Sequence, residues 1–305
     1  MHILNVVANS QKILHTMNKQ IRKYGLLILA FLICACLNYN PQMLFESNYR
    51  HWGWNFSLIA TVLILLIFRF RDPLDWKQKL GIDFKLSDWI GFLILTISLL
   101  IASYFLVDYL SEINGYSFRP KIIHYKDYNS PDFPFFPILG DYLYYIPETF
   151  NEEIFIGALL LMGLERNFTR LDKNIIAVGV ALIFSLMHQA LYKWSPVQPG
   201  LLLTTQTILT LFFVGILRNV LILKTRKIAY SWAIHLGFNI IFFSGFYINN
   251  STEKFASEPE RFNIVFGNLT MVLITGLMAI ISLVWLNMNR LKNKGLKTTG
   301  YNNAS

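Results

Sequence analysis

The chain has 305 residues, 54% of them hydrophobic and 15% charged, with a formal net charge of +9. A soluble domain is nearer to about 45–50% apolar and about 25% charged, so the composition excludes both a water-soluble globule and a disordered chain. The basic balance fits the positive-inside bias of membrane proteins before it suggests nucleic acid.

A membrane-spanning helix needs about 20 mostly apolar residues. Eight stretches qualify, at about 24–40, 52–68, 86–107, 142–164, 174–192, 200–222, 228–248 and 264–288. The expected fold is all-α, a polytopic membrane protein of about eight transmembrane helices. Cys34 and Cys36 lie inside the first run and read as apolar filler, with neither a disulfide framework nor zinc spacing. The run at Leu26 follows a long polar stretch and lacks a small-residue cleavage site, so no cleavable signal peptide is expected.

The basic residues test the eight spans independently. One set of segments holds 20 Lys and Arg, among them Lys12, Arg69, Lys85, Arg166, Lys173, Lys224, Arg226 and Arg290, against 7 on the other side, including Arg119 and Lys193. This asymmetry places both termini in the cytoplasm.

Between the third and fourth spans, residues 116–140 combine Pro120, Pro131, Pro134 and Pro137 with Tyr116, Tyr125, Tyr128, Phe133, Phe135 and Phe136. An irregular segment in the outer interface and a plain solvated loop both suit this composition. The polar, basic stretch from Asn289 onward reads as disordered. No internal repeat and no glycine-rich phosphate loop is present.

An ionisable side chain inside a lipid-spanning helix costs roughly 2.5–3.5 kcal/mol on insertion scales. Such residues gather in spans four to seven, as Glu148, Glu152, Glu153, His188, Arg218 and His235. At about 1.5 Å per residue from the cytoplasmic helix ends, Glu152 and Glu153 stand about 18 and 16 Å deep, His188 about 21 Å, Asn239 about 16 Å and His235 about 10 Å. These side chains are expected to meet near the midplane. Arg218, about 6 Å from its helix end, is expected to snorkel to the headgroups. Glu148 follows Pro147 and reads as a helix-start residue near the outer surface. Adjacent carboxylates beside imidazoles are equipment for general acid/base chemistry, in an enzyme or in a transporter's proton relay.

Three motifs on successive core helices refine this. They are Glu152-Glu153-Ile154-Phe155-Ile156-Gly157 after Pro147, Phe184-x-x-x-His188, and His235-x-x-x-Asn239. In order and spacing they resemble the CPBP (CAAX protease and bacteriocin-processing, or Abi) family of intramembrane proteases. The resemblance covers about residues 142–248. It divides the chain into residues 1–140 with three spans and the outer loop, a four-helix core of catalytic type at 141–250, an eighth helix at 251–288 and a tail at 289–305. The family carries an arginine four residues after the second glutamate, where this chain has Gly157 followed by Ala158. Arg166 is too far along to replace it, so nothing obvious in the sequence holds Glu153 ionised or oriented.

The resemblance implies an intramembrane endopeptidase acting on a membrane-associated protein or peptide. Glu152, assisted by His188, would activate water; His235 and Asn239 would stabilise the oxyanion, and Glu153 would orient its neighbours. Donors at i and i+4 on one helix can aim at a single developing oxyanion. No cofactor is expected. One Glu and two His resemble a catalytic zinc set, but Asn239 suits an oxyanion better than zinc. A different class is also implied by the missing arginine: a catalytically silent membrane protein in bacteriocin immunity or in regulating other membrane proteins. A proton-coupled transporter would show inverted repeats, which are not found. A bacterial plasma membrane is the expected location.

Overall fold

A computed structural model describes residues 50–115, 117–120, 145–168, 171–193, 203–240, 246–249 and 258–299. The chain divides into two compact units, Met1–Ser57 and Leu58–Ser305, and the helices below belong to the second apart from the start of α1. In chain order they are α1 (Arg50–Arg71), the short α2 (Trp76–Lys79), α3 (Leu86–Ile113), β1 (Ser117–Pro120), α4 (145–167), α5 (Lys173–Lys193), α6 (Thr205–Thr225), α7 (Ala229–Asn239), β2 (Phe246–Asn249), α8 (Glu258–Phe266) and α9 (Leu269–Thr299).

Helix dominates, as the composition requires in hydrocarbon, where every backbone group needs an internal partner. Three described helices are long and apolar enough to cross a membrane: α3, α6 and Leu269–Met288 of α9. Their outward side chains are apolar: Leu93, Ile97, Ile101 and Phe105 on α3, and Leu273, Leu277, Ile280 and Val284 on α9 are exposed. The buried side of α3 instead carries Thr96, Ser103 and Ser111. An apolar exterior around small polar interior groups is the pattern of a membrane bundle.

The other expected spans fare differently. The run at 24–40 and the segment 121–140 lie outside the described residues. The run at 52–68 falls in α1, and that at 174–192 in α5, whose apolar part, Lys173–Gln189, is shorter than a full span. The run at 228–248 is not one helix, because α7 ends at Asn239 and Phe246–Asn249 is a strand. Tyr247 and Ile248 favour extended backbone, and β2 pairs antiparallel with β1, Ser117 opposite Asn249 and Pro120 opposite Phe246. This ribbon is the departure from an all-α fold among the described residues. At the other end, α9 continues to Thr299 where disorder was expected from Asn289, since extending an existing helix needs no new nucleus.

Cross-helix contacts give the bundle its directions. α3 and α7 run parallel: Asp88 pairs with Lys227 and accepts from Tyr230 Oη at 3.4 Å, and farther along Gly237 packs on Thr96 and Leu99. α6 and α5 are antiparallel to each other, with Gly215 against Ala181 and Phe184, and Asn219 Nδ2 donating to the Ala177 carbonyl at 2.7 Å. α9 follows α6, with Phe213 against Gly276 and Lys224 Nζ donating to the Trp285 carbonyl at 2.9 Å. The start of α3, the start of α5 and the α6–α7 corner therefore share one end, rich in basic residues.

That basic end is clamped. Glu165 accepts from Arg226 Nη1 and Nη2, each at 2.6 Å, and pairs with Lys173 at 3.0 Å. Arg166 Nη1 donates to the Lys79 carbonyl at 2.8 Å, and Ile228 N–H donates to the Gly81 carbonyl at 3.0 Å. Gly81 has φ 65° and presses on the Arg226 carbonyl, a turn that suits glycine.

α4 departs most from expectation. Its last turn carries Glu165 and Arg166 into this clamp, while its first turns pack on Trp232, in the first turn of α7. Trp232 Nε1 donates to the Ile146 carbonyl at 3.3 Å and to Thr149 Oγ1 at 3.0 Å. Both ends of α4 thus meet the basic half of the bundle. The expected crossing over 142–164, with Glu148 near the outer surface, is replaced by an oblique helix held by the aromatic rings of Trp232 and Phe150, 4.9 Å apart.

Candidate active site

α4 is not a uniform α-helix. Residues 145–152 are α-helical, Glu153–Leu161 form a π-helix and Met162–Asn167 return to α. Met162 N–H donates to the Gly157 carbonyl, five residues back. Such widened turns in α-helices are rare and concentrate at functional sites. This one begins at the glutamate pair.

Glu153 is fully buried and Glu152 nearly so. Glu153 Oε1 accepts from Arg218 Nε at 2.7 Å and lies 3.3 Å from His235 Nδ1, while Oε2 accepts from Ser231 Oγ at 2.6 Å. His235 Nε2 faces Glu152 Oε2 at 3.5 Å. One imidazole therefore spans both carboxylates. A guanidinium is always charged in a protein, so the 2.7 Å contact holds Glu153 as a carboxylate.

Arg218 overturns its expected place at the headgroups. It is 4% exposed, lies 5.2 Å over the Phe184 ring, and extends Nη2 to 3.5 Å from the Glu152 carbonyl. The physical reason is depth. Arg218 stands seven residues before the end of α6, about 10 Å at 1.5 Å per residue, and Glu153 lies at that level with a countercharge. Snorkelling is the solution for an unpaired cation, and this one is paired. For the same reason the site sits toward the basic end, beside the first two turns of α7, and not at the expected midplane.

Of the sequence-predicted residues, Glu152, Glu153 and His235 come into direct contact. His188 sits in α5 with Nδ1 2.9 Å from the Phe184 carbonyl; a carbonyl only accepts, so Nδ1 donates. The His188 ring stands edge-on to Phe184 at 4.6 Å, so Phe184 contacts both His188 and Arg218. Asn239 is the last residue of α7, one turn beyond His235. Sequence reasoning missed Ser231 and Arg218 as partners of Glu153. Ser231 left a usable signal, four residues before His235 and hence on the same helix face.

Ile82, Phe84, Trp89, Ile146, Pro147, Phe150 and Trp232 line an apolar groove of about 350 Å³ at the first turns of α4 and α7. Trp232 meets Phe92 at a tilt with ring centres 4.6 Å apart and Phe150 edge-on at 4.9 Å. Among the described residues no three His, Cys, Asp or Glu side chains form a metal-holding group. His235 meets the two glutamates with different ring nitrogens, which does not converge them on one point.

Residues 135–241 match the family model for Type II CAAX prenyl endopeptidase Rce1-like proteins. Over that third of the chain the protein is similar to this family. The match spans all three motifs, from Glu152 to Asn239, and the chain around it holds helices long and apolar enough to cross a membrane. No curated protein matches the chain.

Proposed function

We propose that the protein is an intramembrane endopeptidase that hydrolyses a peptide bond of a membrane-associated protein or peptide with glutamate-activated water. The observation that carries this reading is the buried pair Glu152 and Glu153 spanned by His235, inside the segment matched to the endopeptidase family. The two ring nitrogens of His235 face different carboxylates, and Arg218 pairs with Glu153 beside them. Glu152 takes a proton from water as the oxygen attacks the scissile carbonyl. His235 Nε2–H then loses its carboxylate partner and turns to the developing oxyanion, joined by Asn239 one turn along the same helix. His188, its Nδ1–H donated to the Phe184 carbonyl, is the second group assigned in this reading to assist Glu152. The proton on Glu152 passes to the leaving amine as the C–N bond breaks, returning Glu152 to its carboxylate. No metal is required by this scheme.

In this reading the basic end faces the cytoplasm of a bacterial plasma membrane, and the site takes water from that side. The test is peptidomics of membranes containing wild-type protein or Glu152→Ala. Peptides present only with wild type are expected, and residual cleavage of such a substrate by the variant would refute the assignment.

Gly157 favours a second reading, a catalytically silent protein that binds other membrane proteins, as in bacteriocin immunity. A cellular phenotype unchanged by Glu152→Ala would establish it over the first.

A further inference from the structure

The arginine expected on α4 is absent, yet Glu153 has an arginine, and it comes from another helix. At Gly157 an added Cβ would stand 2.7 Å from Ile222 Cδ1, 3.5 Å from Ile228 Cγ2 and 3.4 Å from Glu153 Oε2. The path from position 157 to Glu153 is short, and Ile222 fills it. Ile222 lies four residues after Arg218 on α6, hence on the same face. One face of α6 therefore both occupies the space left by the glycine and delivers a guanidinium to Glu153.

The guanidinium also touches more than its ion-pair partner. Nε binds Glu153, Nη2 approaches the Glu152 carbonyl and the plane rests on Phe184, which contacts His188. We propose that Arg218 is a positioning residue of the site, an arginine supplied from α6 in place of one on α4, which fixes Glu153 and through it the aim of Glu152 and His235. The proposal deepens the endopeptidase reading and rests on it.

The test uses the full chain in lipid nanodiscs and, as probe, a farnesylated CaaX peptide with a fluorophore and quencher flanking the bond after the prenylated cysteine. Arg218→Met is expected to lower kcat about 100-fold with KM within about twofold, the signature of misplaced chemistry and not of lost binding. Arg218→Lys should fall between, because an ammonium can pair with Glu153 without the second contact. Moving the charge back, in Gly157→Arg with Ile222→Ala and Arg218→Met, should recover about tenfold or more of the loss. In thermal unfolding Arg218→Met should melt below Arg218→Met with Glu153→Gln, since only the single variant strands a buried carboxylate.

A kcat for Arg218→Met within about threefold of wild type, a loss carried by KM, or equal melting of the single and double variants would overturn the proposal. If Arg218→Met does not fold, an unchanged kcat in Arg218→Lys overturns it as well. If wild-type protein leaves the probe intact, the same variants are read on a substrate found by the peptidomics, and equal melting of the single and double variants still overturns the positioning role.

Discussion

Gly157 offers a direct measure of how tightly α4 and α6 fit. Replacing it by alanine adds one methyl at a point 2.7 Å from Ile222 Cδ1, and Ile222 is fully buried with no room to retreat into solvent. Two effects oppose each other. Alanine is the better helix residue by about 1 kcal/mol, whereas a methyl forced into a packed core costs about 1–3 kcal/mol. Overpacking wins, and Gly157→Ala is expected to destabilise by about 1 kcal/mol, the middle of that difference. The second half of the prediction isolates the cause. Ile222→Val removes the clashing Cδ1 and alone costs about 0.5–1.5 kcal/mol, but combined with Gly157→Ala it should cost less than the sum by about 1–2 kcal/mol. The assay is thermal or denaturant unfolding of the purified protein in one fixed detergent, for wild type, both single variants and the double. Additivity within about 0.5 kcal/mol, or a Gly157→Ala variant more stable than wild type, would refute the argument that Ile222 occupies the missing side chain's place.

Three further outcomes follow from the geometry. Ser231→Ala leaves Glu153 Oε2 without its 2.6 Å donor in a fully buried position, which should cost about 1–3 kcal/mol and lower turnover of a cleaved substrate; unchanged melting would contradict it. Glu165, held by Arg226 first and Lys173 second, has its carboxyl pulled from 4.5 to about 2. Its folded value is depressed, so its contribution is complete above 4.5 and fades as pH falls toward 2. Solvent screening limits that contribution to about 1 kcal/mol or less, and a melting profile across acid pH should lose that slope in Glu165→Gln. Finally, the metal-free scheme predicts that purified active protein holds no stoichiometric metal and keeps its activity after chelator treatment, as read by elemental analysis beside the cleavage assay.

Much of the site was legible because its chemistry is expensive in a membrane. Few residues can carry charge in hydrocarbon, so Glu152, Glu153, His188, Arg218 and His235 stood out as ionisable groups in the central spans, and all but His188 come into direct contact. The helical character was equally plain, since apolar runs leave no other way to satisfy the backbone. The path of α4 was not legible. An apolar run of about 20 residues suggests a crossing, but residues 145–167 are turned by contacts distant in sequence: Trp232 takes the Ile146 carbonyl at one end, and Arg226 takes Glu165 at the other. Depth estimates that assumed a straight crossing placed the glutamates near the midplane for that reason alone.

Arg218 shows the same limit in its sharpest form. By distance from the end of its helix it could reach the headgroups or turn inward, and the one-dimensional pattern does not separate these outcomes. What separates them is the partner. A buried carboxylate without a cation is strongly disfavoured, and so is a buried cation without a carboxylate. Once α4 lies obliquely against α6 and α7, Glu153 and Arg218 each remove the other's penalty. A search for a substitute arginine confined to α4, which stops at Arg166, looks along the chain when the requirement is spatial. The constraint on the sequence is one cation within reach of Glu153, and in this chain α6 meets it.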